Sequence, residues 1–140
     1  MIEVINRQQV RSIKDKHWLE FINRALQAIG TTDEVTIVFV RDAAMRKLNR
    51  QFRGKDQATD VLSFPTRAER FETEHKSHLG EVVISVDRAA VQARQNGLTF
   101  ANEVRQLIVH GLLHLCGYDH ETDDGEMNRL ELKLRQKLGI

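Results

Sequence analysis

VTIVFV, residues 35–40, is β-branched at every position but Phe39. Such a run packs well on a pleated surface and crowds a helix, so it reads as a buried strand. EVVISV at 81–86 has the same character. VLSF at 61–64 is shorter and ends at Pro65, which suits an edge strand because proline cannot donate to the ladder. IEVIN at 2–6 is a candidate short strand. The segments between follow a helical period. From Ser12 on, Trp18, Phe21, Ile22, Ala25, Leu26 and Ile29 recur at three-four spacing up to Gly30, a plausible stop. Asp42 is expected to cap a helix with Met45, Leu48 and Phe52 inward, and Asp87 one that runs to Asn96 before Gly97. Residues 101–116 read as a buried helix. Asp123 and Glu126 can cap a last helix that buries Met127, Leu130, Leu134 and Leu138. The polar stretch 66–79 reads as an exposed loop. Strands separated by helices predict an α/β or α+β sheet covered by helices.

At 140 residues one domain spanning 1–140 is expected. The apolar runs are too short to cross a bilayer, and the N-terminus lacks the apolar stretch of a signal peptide. Cys116 is the single cysteine and cannot close an intrachain disulfide, which fits a reducing cytoplasm. The net charge of +1 is unevenly spread. Residues 41–55 hold Arg41, Arg46, Lys47, Arg50, Arg53 and Lys55 against Asp42 alone, while 119–126, DHETDDGE, are strongly acidic. That is a polarised surface. The acidic run lacks a glycine at the sixth position and a glutamate at the twelfth position of a calcium loop, and reads as a helix start.

Three of the six histidines fall in HGLLHLCGYDH, 110–120. On the otherwise apolar helix 101–116, Asn102, Gln106, His110 and His114 lie four apart and share one face. Two imidazoles one turn apart can bind one ion, and Gly117 permits a sharp turn that returns His120 as a third ligand. Three imidazoles leave one position of a tetrahedral zinc open, as catalytic sites do, and a water bound there has its pKa lowered to about 7. Cys116, two residues past His114, points off the stripe and reads as a small buried hydrophobe. The spacing H-x3-H-x2-G-x2-H is also that of metzincin peptidases, but Gly111 stands where they carry the general-base glutamate. His75 and His78 form only a weak H-x2-H pair and read as exposed histidines.

HGLLHLCGYDH resembles the H-G-x-L-H-L-x-G-Y-D-H signature of the YbeY-type bacterial endoribonucleases. LNRQFRGKDQATDVLSFP (48–65) is similar to that family's second signature, and LGEVVIS (79–85) to its L-G-D-I-x-I-S strand, with Glu81 in place of the usual aspartate. The resemblance runs from about residue 35 to 135. It implies an α+β fold with a mixed, mostly parallel four-stranded sheet, an edge strand, about five helices and a metzincin-like metal helix. It implies one zinc per chain on His110, His114 and His120, and catalytic roles for Arg53 and His114. It implies cleavage of single-stranded ribosomal RNA, near the 3′ end of the small-subunit RNA, with the small ribosomal subunit as partner and a part in ribosome quality control.

The residues alone would leave Arg53 a solvated surface arginine; the resemblance makes it the phosphate ligand, since a guanidinium fork matches phosphate oxygens in two bonds. Arg41, Arg46, Lys47, Arg50 and Lys55 could track the RNA backbone. Asp119 is read as orienting a ligand histidine, and Asp119 or Glu121 could assist as base. Phe52, Phe64 and Tyr118 are read as core packing rather than as stacking platforms. Two other functions compete: a different zinc-dependent hydrolase of the peptidase kind, and a non-catalytic ribosome assembly factor with structural zinc. The latter would require a fourth protein ligand.

Overall fold

The computed structural model describes residues 2–66, 78–119 and 121–140. In chain order the elements are β1 (Ile2–Asn6), α1 (Asp15–Ile29), β2 (Glu34–Val40), α2 (Asp42–Arg53), β3 (Val61–Pro65), β4 (His78–Ser85), α3 (Val86–Asn96), α4 (Phe100–Leu115) and α5 (Glu126–Leu138). The strands form one sheet in the order β1-β2-β4-β3. β1, β2 and β4 are parallel, and β3 pairs antiparallel with β4 at the edge, with Pro65 opposite Gly80. The mixed, mostly parallel sheet with five helices among the described residues is the α+β architecture that the resemblance implied.

Alternation along the strands sorts the core into two layers. Val35, Ile37 and Phe39 of β2 and Val82 and Ile84 of β4 join the main core with α1, α4 and α5. Val38, Val40 and Val83 face the other side, where Met45 of α2 covers them. Both faces are therefore buried at the centre, as the unbroken apolar run of β2 demands. α4 lies on β3 and β4, and this contact fixes the position of the histidine stripe.

Gly111 is the point of closest approach. A Cβ there would stand 2.6 Å from Val82 Cγ1 and 3.2 Å from Ser63 Oγ, and the Ser63 hydroxyl already donates to the Gly111 carbonyl at 3.2 Å. Gly111→Ala must push helix and sheet apart. It is expected to lower unfolding stability by about 1–3 kcal/mol, read from urea midpoints. A substitution without effect would mean that the helix is free to shift.

Several local expectations are corrected. α1 begins at Asp15 rather than near Ser12. The buried Gln8 side chain accepts from the Val10 and Arg11 amides and holds the preceding segment in its own turn. Neither Asp42 nor Asp87 is an N-cap: the cap positions are Arg41, one residue before Asp42, and Ser85, two before Asp87. Ser85 caps α3 by accepting from the Arg88 amide. Asp87 instead accepts from the Asp42 amide at 2.8 Å and from Arg41 Nε at 3.0 Å, tying α3 to the start of α2. Burial alone would raise the Asp87 carboxyl, but the Arg41 and Asp42 hydrogen bonds hold it below its usual value. Asp123 does serve the last helix, accepting from the Gly125 and Met127 amides, although Gly125 occupies the cap. β4 starts at His78, so the loop expected over 66–79 is shortened; its residues 67–77 lie outside the described residues. Among the described residues no helix is long and apolar enough to cross a membrane.

Candidate metal centre and its cleft

The turn after α4 builds half of the site. Gly117, at φ +96, donates to the His114 carbonyl and Tyr118 to the Leu113 carbonyl. This is a Schellman ending, and a left-handed residue is needed at its centre. The turn brings the Tyr118 carbonyl back to 3.0 Å from His114 Nδ1. From the other side, α5 presents Glu131, whose two carboxylate oxygens stand 3.2 Å from His110 Nδ1.

These partners assign the tautomers. A carbonyl and an ionised carboxylate only accept, so each Nδ1 carries the hydrogen and each Nε2 a lone pair. The two Nε2 atoms are 3.1 Å apart. At that separation the two nitrogens can share a hydrogen or ligate one cation between them. Ligands about 2.0–2.1 Å from a tetrahedral zinc stand about 3.3 Å apart, so the pair fits such an ion. The outer hydrogen bonds to a carboxylate and a backbone carbonyl are those that metal-ligating histidines make. His120, expected as the third ligand, lies outside the described residues.

Glu131 is buried and also receives Arg135 Nη2 at 3.1 Å. Burial pushes its carboxyl up, but the bonds and charges of His110 and Arg135 bring it below the usual value. Sequence reasoning missed Glu131. It lies on the inward stripe of α5 between Met127 and Leu134, and a carboxylate on an apolar stripe demands a partner. Asp119 does not hold His110 or His114; its carboxylate accepts from the Glu121 amide within its own turn.

His110 and His114 open into a cleft of about 510 Å³ whose opposite wall is the end of α2 and the loop after it. Arg53 and Lys55 line it. Arg53 is exposed, and among the described residues it pairs with no carboxylate. The other arginines of the basic segment are paired. Arg41 meets Asp87, and Arg46 holds Asp56 by two bonds of 2.8 and 2.9 Å, with Arg50 at 3.9 Å from the same carboxylate. Lys47 faces a separate groove with Phe52 and Phe64. Of the expected RNA-binding set, then, Lys55 alone shares the cleft with Arg53. Buried Asn49, also unforeseen, donates to the Gln57 carbonyl at 2.8 Å and pins the loop that carries Lys55.

Two aromatic readings are corrected. Phe52 is 59% exposed, edge-on to Phe64, and Tyr118 lies exposed on the cleft wall, because α2 reaches only the border of the second layer and Gly117 turns the chain outward. Cys116 is half-buried, and burial with the charge of Asp33 pushes its thiol up, away from the thiolate a metal would need. His78 is not a free surface histidine; it bridges Thr36 and Thr66 at 3.2 Å each. His75 lies outside the described residues.

The sequence profile of the family described as "Endoribonuclease YbeY" matches residues 3–139. The chain belongs to the YbeY endoribonuclease family. It is similar to the endoribonuclease YbeY of Koribacter versatilis, 39% identical over 137 residues, covering 98% of this chain and 86% of the relative. The YbeY of Solibacter usitatus is 50% identical over 120 residues, 86% of this chain and 76% of the relative. The solution structure of TM1509 from Thermotoga maritima superposes with a TM-score of 0.63 at 30% identity, covering 99% of this chain and 89% of that one. YbeY membership makes the chain a nuclease, a hydrolase of phosphodiester bonds.

Proposed function

We propose that this chain is a zinc-dependent endoribonuclease that cuts single-stranded ribosomal RNA, acting near the 3′ end of the small-subunit RNA and in quality control on the small ribosomal subunit in the cytoplasm. One observation carries the reading: an arginine with no carboxylate partner among the described residues shares a cleft with two imidazoles whose Nε2 atoms converge on one point. His110, His114 and His120 would hold one zinc, which supplies Lewis acidity and lowers the pKa of a bound water.

The chain's own residues do the rest. Glu131 and the Tyr118 carbonyl fix the two imidazoles before substrate arrives, so no reorganisation is needed at the reacting centre. Arg53 grips the non-bridging oxygens of the scissile phosphate and meets the charge that grows on them. Lys55 takes a neighbouring phosphate, a sequence-independent contact that weakens with salt. Asn49 holds the loop between them in place. The peptidase alternative loses ground at Gly111, where a glutamate would drive its Cβ into Val82.

Protein loaded with zinc is expected to cut single-stranded ribosomal RNA and to leave a duplex of the same sequence and an unfolded polypeptide whole. Chelation should stop cleavage, and zinc alone should restore it. Cleavage untouched by chelation, or a polypeptide cut instead, would overturn the reading.

A further inference from the structure

A second cavity of about 420 Å³ adjoins the cleft, and the two share Asp60, Val61 and His110 as lining. Their balance of charge differs. The first sets Arg53 and Lys55 beside Asp60, Asp119 and Glu121; the second carries Asp60, Glu103 and Glu131, and Arg135, the one lysine or arginine among its described lining residues, is engaged by Glu131. A phosphate is repelled there, whereas a neutral group rich in hydrogen-bond donors is welcome. Glu103 is 4% exposed, and among the described residues its only partner is one Asn96 amide nitrogen, 3.3 Å from each oxygen. A buried carboxylate can accept about four hydrogen bonds, so most of its capacity is unused. Gln106 lies one turn before His110 on the same stripe and, with Gln92, faces the chamber without a hydrogen bond to any described residue. Val61, Leu98 and Leu107 give apolar walls for a flat ring.

We propose that this chamber seats the nucleobase next to the scissile phosphate and selects guanine through Glu103. The inference rests on the RNA-cleaving function proposed above. Guanine alone presents two adjacent donors, ring N1–H and exocyclic N2–H, which fit a carboxylate in a two-bond fork. Adenine and cytosine set a donor beside an acceptor, and uracil sets one N–H between two carbonyls, so each turns a lone pair toward Glu103. Unstacked bases of single-stranded RNA are read on this edge. Gln106 and Gln92 supply amide contacts to the remaining ring atoms.

The test titrates the folded, zinc-loaded protein with guanosine and inosine 5′-monophosphates, which differ by the exocyclic amine alone, and with the adenosine analogue. The wild type is expected to bind the guanosine nucleotide about tenfold more tightly than inosine. In Glu103→Gln, an isosteric change, that ratio should fall to near one and the adenosine nucleotide should gain. Gln106→Ala should weaken guanosine and inosine nucleotides alike, and thermal unfolding checks that both variants fold. In parallel, the cut ends of a randomised single-stranded RNA are sequenced, with guanine expected to be enriched at one position beside the cut. Equal binding of guanosine and inosine nucleotides, or discrimination that survives Glu103→Gln, overturns the subsite. Discrimination that depends on Glu103 in a protein that cuts no RNA supports the subsite and overturns the nuclease reading instead.

Discussion

Arg53→Ala is expected to slow RNA cleavage about a hundredfold to a thousandfold while leaving zinc content and stability unchanged. The size follows from the position of the group. Six cations lie between 41 and 55, but Arg41, Arg46 and Arg50 already meet carboxylates, and Lys47 faces elsewhere. Arg53 ends α2, where Gly54 turns the chain in a left-handed cap and the Lys55 amide returns to the Asn49 carbonyl. The guanidinium thus lines the cleft from a fixed helix end, with no carboxylate partner among the described residues. Its exposure means that truncation leaves no cavity, so stability should hold within about 0.5 kcal/mol. Arg53→Lys keeps the charge but loses the planar fork, and should recover only part of the rate. Parallel assays of cleavage, zinc per chain and urea midpoint decide the matter. Equal cleavage by wild type and Arg53→Ala would remove arginine from the mechanism, and loss of zinc in the variant would make its role structural.

Burial patterns that repeat along one element were readable before any fold was known. The β-branched run of β2 can only be a buried strand, and the three-four spacing of Trp18, Phe21, Ile22, Ala25 and Leu26 can only be an amphipathic face. The histidine stripe was readable for the same reason, since its spacing lies within α4. Groups whose partners sit on another element were not readable. Asp42 and Asp87 look like caps from their neighbours alone; in the fold Asp42 accepts from the Ser85 hydroxyl, and Asp87 from Arg41 and the Asp42 amide. The basic segment looked uniform because Asp56 follows it and folds back onto Arg46. Phe52 keeps helical register with Met45 and Leu48, yet it stays 59% exposed, with its ring edge-on to Phe64. Glu131 left a faint signal, a carboxylate in register with buried Met127 and Leu134, but only the fold shows that its partner is His110.

That contact gives the second large effect. His114→Ala is expected to abolish stoichiometric zinc binding, and Glu131→Gln to weaken it about ten- to a hundredfold. His114 supplies one of the two lone pairs that meet 3.1 Å apart, and alanine removes it outright. Glu131 acts one shell out. Its carboxylate holds the hydrogen of His110 on Nδ1 and thereby keeps Nε2 aimed into the cleft. Glutamine retains the shape and one acceptor oxygen but loses the charge that makes the imidazole a better donor to a cation. It also leaves Arg135 without its ion pair, so a modest fall in stability should accompany the change. Competition against a chelator of known affinity separates the two variants, and circular dichroism establishes that both retain their helices. If Glu131→Gln bound zinc as tightly as wild type, the contact between α5 and the histidine helix would be packing alone. If His114→Ala kept its zinc, the ion would have to sit elsewhere, and the tautomers assigned here would no longer describe a metal centre.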